Sequence, residues 1–381
     1  MSAARGHLWV RAEQRANERR HPLTPDGAAQ LISAGFKVTV EASRQRTIPL
    51  EEYMKAGCET AAEGSWMNAP DAVIVMGLKE LPDDGTPLRH RHIMFGHSFK
   101  GQPDGPRLLR RFKTGGGKLF DLEYLTDETG RRVAAFGHWA GFAGAAVALL
   151  AWAAQCSGHA VAALADFRSS DEMVGAVLEA LGGVSGALPT VLIIGALGRV
   201  GRGATELCEA CGVTHVAKWD VAETASGGPF PQIISECDVM LNCILAGPGG
   251  PVFVPESAAA LAGRRLGVIG DIACDPDSEY SPIKVNDRCT SWEEPVRRVS
   301  ADGAPPLDVV CIDNLPSLLP RESADDFSAA LLPSLLAFGA AAEGEGGAGQ
   351  GASSAVWSRA LALFEQHAAK ATAAYPARSS L

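Results

Sequence analysis

The sequence predicts an α/β fold with two domains, and three observations support this prediction. Short apolar runs rich in β-branched residues alternate with helix-forming segments along most of the chain. A glycine-rich turn at 195–201 lies directly between one such run, 191–194, and a helix-forming segment. The length of 381 residues is sufficient for two domains with separate hydrophobic cores.

The first part of the chain is predicted to be α/β in its own right. Thr24 is a suitable N-cap, and Pro25 a suitable first residue, for a helix over 25–35. A shorter helix is predicted at 51–56. The predicted strands of this region are 7–11, 36–40, 72–76, 93–97, 118–122 and 132–136.

The alternation continues through the rest of the chain. Residues 139–156 are small and apolar, a composition that suits a helix packed tightly between two layers. Further helices are predicted at 172–181, 204–211 and 356–370. The predicted strands are 191–194, 213–220, 239–244, 266–272 and 309–312.

The glycine-rich turn indicates a dinucleotide-binding Rossmann unit. Gly195, Gly198 and Gly201 form a variant of the G-x-G-x-x-G pattern, in which backbone N–H groups approach a pyrophosphate. Asp220 ends the next predicted strand, where a carboxylate accepts from the ribose hydroxyls and repels a 2′-phosphate. The turn therefore favours NAD over NADP, although Lys218 acts in the opposite sense. The alternative interpretation is an α/β turn without a ligand.

Charge and hydropathy exclude several classes of protein. The formal net charge is −10, from 34 basic and 44 acidic residues, so we expect no general nucleic-acid surface. No apolar run is long enough for a membrane span of about 20 residues, and we expect no membrane association. The N-terminal residues have no apolar stretch typical of a secretory signal.

The cysteine pattern indicates a reducing compartment. Nine cysteines are scattered without a C-x-x-C pair, so we expect reduced thiols, no disulfide framework and no metal site. We expect a cytoplasmic protein, since the C-terminal Ser-Ser-Leu only weakly resembles a peroxisomal Ser-Lys-Leu signal.

Six stretches of the chain resemble one known family, the NAD-dependent, lysine-forming saccharopine dehydrogenases of the alanine dehydrogenase and transhydrogenase superfamily. They span nearly the whole chain in the family's order, which is far more specific than the glycine-rich turn alone. The stretches are GLKE (77–80), HIMFGH (92–97), GRRVAAFG (130–137), AGFAGAA (140–146), VLIIGALGR (191–199) and LPSLLPRE (315–322).

The resemblance implies two Rossmann-like doubly wound domains with an active-site cleft between them. The substrate-binding and catalytic domain would comprise residues 1–136 and 332–381, and the NAD-binding domain residues 137–331. The implied reaction is the reversible oxidative cleavage of saccharopine by NAD to lysine and 2-oxoglutarate, the last step of lysine biosynthesis by the 2-aminoadipate route. The resemblance further implies small-molecule substrates only, and we expect a monomer.

By resemblance, two residues share the proton transfers. Lys79 would accept the proton of the substrate's secondary amine, and a lysine at a strand end can act as a base if its pKa is lowered. His97 would handle the attack of water and the breakdown of the carbinolamine, since its ordinary pKa lies near working pH. Glu80 and Glu123 would tune both groups through their charge. The alternatives are a solvated lysine and a hydrogen-bonded structural histidine.

The remaining site residues also follow from the resemblance. Saccharopine carries three carboxylates, which arginines grip bidentately, although ordinary surface charge is the alternative for these arginines. The implied substrate-binding residues are Arg20, Lys79, Gln102, Arg132, Phe136, Ala273, Cys274 and Asp275. The implied cofactor-binding residues are Arg131, Gly195, Gly198, Arg199, Gly201, Asp220, Thr224, Leu245, Ile272, Ile312, Asp313, Asn314 and Leu315.

Four positions depart from the family pattern. Leu245 replaces an aromatic residue that the family can have, Ala273 and Cys274 replace a serine and an alanine, and Asn314 replaces a histidine. These changes affect fine contacts and not the class of reaction. Two other functions stay open: another NAD-dependent amino-acid dehydrogenase, such as alanine dehydrogenase, and a non-catalytic module that senses NAD.

Overall fold

The chain folds into two compact units. The computed structural model describes residues 5–338 and 352–374. Unit 1 takes the described residues within Met1–Ala135 and Ser323–Leu381, and unit 2 is Phe136–Glu322. The chain thus returns to unit 1 at residue 323, whereas the sequence analysis places the return at 332. The C-terminal Ser-Ser-Leu lies outside the described residues.

Unit 1 contains a six-stranded sheet in which all neighbouring strands are parallel. Its order, β3-β2-β1-β4-β5-β6, is that of a Rossmann fold, and the order reverses between β1 and β4. Ligands of such sheets bind beyond the carboxyl ends of the strands near this reversal. The strands are β1 Gly6–Val10, β2 Phe36–Glu41, β3 Glu59–Ala61, β4 Ile74–Met76, β5 Arg91–Met94 and β6 Lys118–Asp121.

Five helices cover this sheet or begin within its unit. Thr24 caps the first of them as predicted, because its Oγ1 accepts from the N–H of Gly27 at 3.4 Å. The C-terminal helix packs on the sheet through Trp357, whose ring meets Phe120 edge to face. The helices are α1 Pro25–Ser33, α2 Leu50–Lys55, α3 Gly105–Gly115, α9 Pro320–Leu336 and α10 Ala352–Ala374.

Unit 2 contains a second six-stranded sheet of order β11-β12-β10-β9-β7-β8, parallel except for β11. The strand order reverses between β7 and β9, so the glycine-rich turn after β7 lies at the reversal. The strands are β7 Val191–Ile194, β8 Val216–Trp219, β9 Val239–Asn242, β10 Val268–Asp271, β11 Arg297–Arg298 and β12 Asp308–Val310. The helices are α4 Gly137–Cys156, α5 Ser170–Gly182, α6 Arg199–Ala210, α7 Val221–Thr224 and α8 Pro231–Glu236.

Helix α4 forms the centre of the core of unit 2. It packs on α5, α6 and the sheet, and most of its residues are buried. Its length and apolar composition alone would allow it to span a membrane, but 67% of its most apolar 18-residue segment is buried inside the protein. This burial is typical of the core helix that the composition of 139–156 predicts.

Helices α4 and α6 cross in backbone contact. A Cβ atom on Gly141 of α4 would lie 1.8 Å from the carbonyl oxygen of Val200, and one on Gly203 of α6 would lie 1.9 Å from that of His138. Neither contact leaves room for any side chain. The glycines of AGFAGAA therefore have a structural role, which is to let the two helices approach.

Two predicted strands differ from the structure. Residues 132–136 form no strand, because Asp127 organises a turn that a single bridge between Thr126 and Arg132 closes, and Phe136 then leads into α4. The strand predicted at 93–97 ends at Met94. Helix α3 was not predicted, although the burial of Leu109 and Phe112 follows helical spacing.

Candidate functional site

The candidate catalytic residues of unit 1 lie beyond the carboxyl ends of neighbouring strands. Lys79 follows β4 and His97 follows β5, and the two strands pair through Met76 and Ile93. The segments beyond them stay together, because the N–H of Phe95 donates to the carbonyl of Leu78 at 2.9 Å. The structure therefore brings Lys79 and His97 to one edge of the sheet.

A buried carboxylate holds the backbone of Lys79. Glu13, which follows β1, accepts from the N–H of Leu78 at 2.7 Å and from the N–H of Lys79 at 2.9 Å. Glu13 is paired at 3.3 Å with Arg11, whose guanidinium also donates to the carbonyl of Lys79. Arg11 and Glu13 are 2% and 6% exposed. This pair therefore fixes both the N–H and the carbonyl of Lys79.

Gly77 is required beside the same pair. A Cβ atom at this position would lie 2.4 Å from Nε of Arg11, inside any allowed contact distance. The first glycine of GLKE therefore makes room for the guanidinium that binds the carbonyl of Lys79.

Arg20 forms a buried, bidentate ion pair with Glu18. Its Nε donates to Oε1 at 2.8 Å, and its NH2 group donates to Oε2 at 2.6 Å. Burial by itself would raise the pKa of Glu18, but the charge and hydrogen bonds of Arg20, together with the charge of Lys79, lower it below its usual range. Arg20 is therefore not an ordinary surface charge, and its predicted contact with a substrate carboxylate stays a prediction.

His97 lies in a turn that follows β5. Its backbone has φ of 46°, in the left-handed region that few residues other than glycine adopt. Its Nε2 lies 3.5 Å from Oε1 of Glu80, and its ring stacks on Phe95. About 40% of the histidine side chain is exposed. The imidazole is thus held on one side and accessible on the other, as an acid–base group needs to be.

Glu123 links the groups that follow β5 and β6. Its Oε1 accepts from Nζ of Lys100 at 2.6 Å and lies 4.0 Å from Arg132. Burial alone would raise its pKa, but the hydrogen bond from Lys100 and the charges of Lys100, Arg132 and His97 lower the pKa. Glu123 is therefore an anion paired with Lys100, and its predicted influence on Lys79 and His97 stays a prediction.

Two further predicted site residues, one for the substrate and one for the cofactor, lie on loops of unit 1. Gln102 turns its side-chain oxygen to its own loop, where it accepts from the N–H of Lys100 at 2.8 Å. Arg131 is exposed in the turn that Asp127 organises through a hydrogen bond to the N–H of Arg131 at 2.9 Å. Their contacts with substrate or cofactor stay predictions.

Asp121 is a buried acid at the same edge, as the last residue of β6. Its Oδ1 accepts from the N–H of Glu123 at 3.0 Å, and Oδ2 lies beside Gly96. Burial raises the pKa of Asp121 to about 7, and the negative charge of Glu123 raises it further. The hydrogen bond from the Glu123 N–H lowers the pKa but does not offset the effect of burial. Asp121 is therefore protonated in the folded protein at mildly acidic pH.

We expect this protonation to make stability fall as pH rises. The unfolded chain loses the Asp121 proton near pH 4, but the folded chain keeps it until about pH 7, so folding is disfavoured progressively across this window. Asp121→Asn keeps an acceptor for Glu123 and removes the titration. Relative to the variant, the wild type should lose about 2 to 3 kcal/mol of unfolding free energy between pH 5 and pH 8. A difference between the two proteins that does not change with pH would contradict this assignment.

The glycine-rich turn of unit 2 has the geometry of a phosphate-binding loop. Gly195 has φ of 83°, and a Cβ atom on Gly201 would lie 2.2 Å from the carbonyl oxygen of Gly195. Gly198 is the N-cap of α6, and no side chain of the described residues caps this helix. The first N–H groups of α6, starting at Arg199, thus form a site that could bind an anion at the positive end of the helix dipole.

Asp220 joins this turn to the next strand. Its Oδ2 accepts from the N–H of Leu197 at 3.0 Å, and its Oδ1 accepts from the N–H of Val221 at 2.9 Å. Asp220 and Glu223 form a capping box at α7, and Thr224 Oγ1 donates to the carbonyl of Asp220 at 2.9 Å. Asp220 therefore lies where the ribose-binding carboxylate is predicted, and it also supports the turn.

The other predicted cofactor positions divide into core and surface residues. Ile272, Ile312 and Leu315 belong to the hydrophobic core, so only their backbone can face a ligand. Leu245, after β9, is 62% exposed and presents apolar surface beyond the strand end. Asn314 is buried and donates to Ser317 Oγ at 2.8 Å, which keeps its amide within its own turn.

The predicted residues after β10 and β12 lie in adjoining turns. Ala273 donates its N–H to the carbonyl of Asn242 at 3.3 Å, and Asp275 and Asp313 are exposed. Cys274 has φ of 53° and lies against two other cysteines, Cys289 and Cys311. Phe136 belongs to unit 2, as the N-cap of α4.

Comparison with known proteins identifies the family. The model of the alanine dehydrogenase/PNT N-terminal domain matches residues 9–143. A saccharopine dehydrogenase [NAD(+), L-lysine-forming] of Emericella nidulans is 43% identical over 341 residues, which cover 86% of this chain and 91% of that protein. The chain belongs to the family of NAD(+)-dependent, L-lysine-forming saccharopine dehydrogenases.

A second relative agrees with this assignment, and a solved structure shows a similar fold. The saccharopine dehydrogenase [NAD(+), L-lysine-forming] of Schizosaccharomyces pombe is 42% identical over 341 residues, covering 87% of this chain and 92% of that protein. The fold is similar to that of an L-alanine dehydrogenase, with a TM-score of 0.67, 18% identity and coverage of 96% of this chain and 99% of that chain. The structural neighbour supports two Rossmann-like folds in this chain.

Sequence reasoning missed the charged residues that surround Lys79. Arg11, Glu13 and Glu18 all follow β1 closely, as Lys79 follows β4. Lys79 was identified by the resemblance of its GLKE stretch to the family, and no such stretch includes these three residues. Their position after a strand of an α/β sheet is the signal that could have found Arg11 and Glu13. Lys100, the partner of Glu123, carries no comparable signal because it lies in a loop.

Proposed function

We propose that this chain catalyses the NAD-dependent oxidative cleavage of L-saccharopine to L-lysine and 2-oxoglutarate. One arrangement carries the proposal: Lys79 and His97 lie at the same strand ends of unit 1, each beside its own carboxylate. Membership of the saccharopine dehydrogenase family supports the choice of substrate.

The glycine-rich turn, the uncapped start of α6 and Asp220 suit a dinucleotide, and they would hold NAD in unit 2. NAD supplies the hydride acceptor when it is bound. Lys79 removes the proton from the secondary amine of saccharopine, so that the amine lone pair can form the imine as the hydride leaves the adjacent carbon. The proton chemistry before hydride transfer therefore belongs to Lys79.

His97 then acts on the imine hydrolysis. It removes a proton from the attacking water and later protonates the departing amine, which releases lysine and leaves 2-oxoglutarate. Oε1 of Glu80 lies 3.5 Å from Nε2 of His97, where it can orient the imidazole. Arg132, whose side chain is 44% exposed, is proposed to bind one of the three carboxylates of saccharopine.

The test follows NADH absorbance with purified protein, NAD and saccharopine, with alanine as the alternative substrate. We expect NADH formation with saccharopine and equimolar release of lysine and 2-oxoglutarate. Turnover with alanine and none with saccharopine would favour another amino-acid dehydrogenase. NAD binding without turnover of either substrate would favour the NAD-sensing module.

Cofactor preference is a separate expectation that depends on Asp220. The wild type should bind NAD more tightly than NADP, because the carboxylate repels a 2′-phosphate. Asp220→Asn keeps an acceptor for the Leu197 N–H and removes the negative charge. It should therefore reduce the difference between the NAD and NADP affinities with little loss of turn structure. Asp220→Ala removes the acceptor as well as the charge, and it should also weaken NAD binding. Equal affinities of the wild type for NAD and NADP, measured by fluorescence titration, would rule out this role.

A further inference from the structure

Three cysteines from separate segments lie together in unit 2. Cys274 follows β10, Cys311 follows β12, and Cys289 belongs to the loop between them. The Sγ atom of Cys274 lies 3.6 Å from that of Cys289 and 3.7 Å from that of Cys311. All three Sγ atoms lie within 4.8 Å of one another. The spacing of these cysteines along the chain does not predict this cluster.

The backbone holds the three thiols in place. Thr290, next to Cys289, donates its N–H to the carbonyl of Cys311 at 2.7 Å, and its Oγ1 accepts from the N–H of Cys311 at 2.9 Å. These two bonds fix the loop of Cys289 against the end of β12. Cys274 is held in a left-handed conformation, which is costly for a residue with a Cβ atom.

The distances between the sulfur atoms suit a tetrahedral metal ion. An ion with bonds of about 2.3 Å to sulfur places its sulfur ligands about 3.8 Å apart. The two measured distances, 3.6 and 3.7 Å, need almost no adjustment to reach this value. Three thiolates are soft ligands, which select zinc and related ions over magnesium or calcium.

The surroundings favour a cation and give it access. Asp271 Oδ2 lies 3.8 Å from Sγ of Cys311, and Asp313 lies close enough to act on Cys274 and Cys289. Cys289 is exposed and Cys274 is half-buried, whereas Cys311 is buried. The cluster is thus open to solvent on the side of Cys289, where a fourth ligand such as water can complete the coordination.

We propose that Cys274, Cys289 and Cys311 bind one thiophilic metal ion of the Zn²⁺ class through their three sulfur atoms. Each thiol that binds the ion releases its proton, and no electron is transferred. A disulfide between two of the cysteines would leave the third sulfur unused, whereas a metal ion accounts for all three. The inference does not depend on the proposed function, since metal binding is measured without substrate or NAD.

The test measures zinc binding to the reduced, full-length protein by equilibrium dialysis against buffered Zn²⁺. We expect one zinc ion per chain. Cys289→Ser should lower the affinity at least about 100-fold, because even groups that only support a metal ligand contribute 10- to 100-fold. Cys156→Ser, at an exposed position at the end of α4, is the matched control and should leave zinc binding unchanged.

A second measurement separates loss of the site from loss of the fold. Zn²⁺ should raise the unfolding temperature of the wild type and of Cys156→Ser, but not that of Cys289→Ser, because binding stabilises only a protein that has the site. Co²⁺ in place of Zn²⁺ should give the thiolate charge-transfer absorption of a tetrahedral sulfur site. Absence of stoichiometric zinc from the reduced protein, or equal affinity in Cys289→Ser, would overturn the proposal.

Discussion

Replacing Lys79 with methionine is expected to lower turnover about 100- to 10,000-fold, the usual contribution of a general acid–base group. The substitution keeps the length of the side chain, and the backbone of Lys79 remains bound by Glu13. NAD affinity should stay nearly unchanged, because all the predicted dinucleotide residues except Arg131 belong to unit 2. Turnover is measured through NADH absorbance, and NAD affinity through fluorescence titration.

Lys37→Met is the matched control for this variant. Lys37 lies near the amino end of β2 in the same unit and pairs with Glu59 at 2.9 Å on the surface, away from the carboxyl ends of the strands. We expect its turnover to equal that of the wild type. Near-normal turnover of a correctly folded Lys79→Met protein would remove the lysine from the mechanism.

His97→Gln should cause a loss of similar size, with a different change in pH dependence. Each single variant should lose a different limb of the pH–rate profile, because Lys79 acts before hydride transfer and His97 acts in the hydrolysis that follows. The double variant should lose less than the product of the single losses, since both groups serve one sequence of proton transfers. Independent, multiplicative losses would indicate that His97 and Lys79 act in unrelated steps.

Glu13→Gln is expected to destabilise unit 1 by about 3 to 5 kcal/mol, the usual cost of breaking a buried ion pair from one side. Both carboxylate oxygens of Glu13 accept from donors, whereas a glutamine side chain has only one oxygen that can accept. Its NH₂ group, which only donates, would then face a backbone N–H or the guanidinium of Arg11. Arg11 would remain a buried charge without its carboxylate. The midpoint of urea unfolding, followed by circular dichroism, measures the loss.

The surface pair of Lys37 and Glu59 again provides the comparison. Glu59→Gln breaks an exposed ion pair, which should change the unfolding free energy by less than about 1 kcal/mol. If Glu13→Gln unfolds at the same urea concentration as Glu59→Gln, the Arg11–Glu13 pair does not stabilise the fold. Its role would then be limited to the position of Lys79.

Local patterns predicted most of the elements, whereas the roles of Lys79 and His97 followed from the resemblance to the family. The buried β-branched runs of β7 and β10 required no knowledge of neighbours, since parallel strands covered on both faces are apolar throughout. A strand end alone does not distinguish Lys79 from a solvated surface lysine, and its role as a base stays a prediction. His97 was placed at the end of a predicted strand, but the strand stops at Met94 and the chain turns before the histidine.

Contacts between segments that are distant in the sequence could not be predicted from local patterns. The bond from the Lys79 N–H to Glu13 joins residues that are 66 positions apart, and it depends on the pairing of β1 with β4. The cysteine cluster depends in the same way on the bridge between Thr290 and Ile312. The strand predicted at 132–136 was wrong because the hydrogen bonds of Asp127 favour a local turn.

The crossing of α4 and α6 has a consequence for redesign of the dinucleotide site. Where two helices touch backbone to backbone, no side chain between them can rotate to absorb a displacement, so the start of α6 keeps its position relative to α4. Residues of the loop ahead of α6 can therefore be exchanged without shifting the helix that would face the phosphates. Gly141 lies in the core, on α4, and not in the glycine-rich loop. Gly141→Ala should push α6 away from α4 and thereby weaken dinucleotide binding, although the residue itself would not touch the dinucleotide.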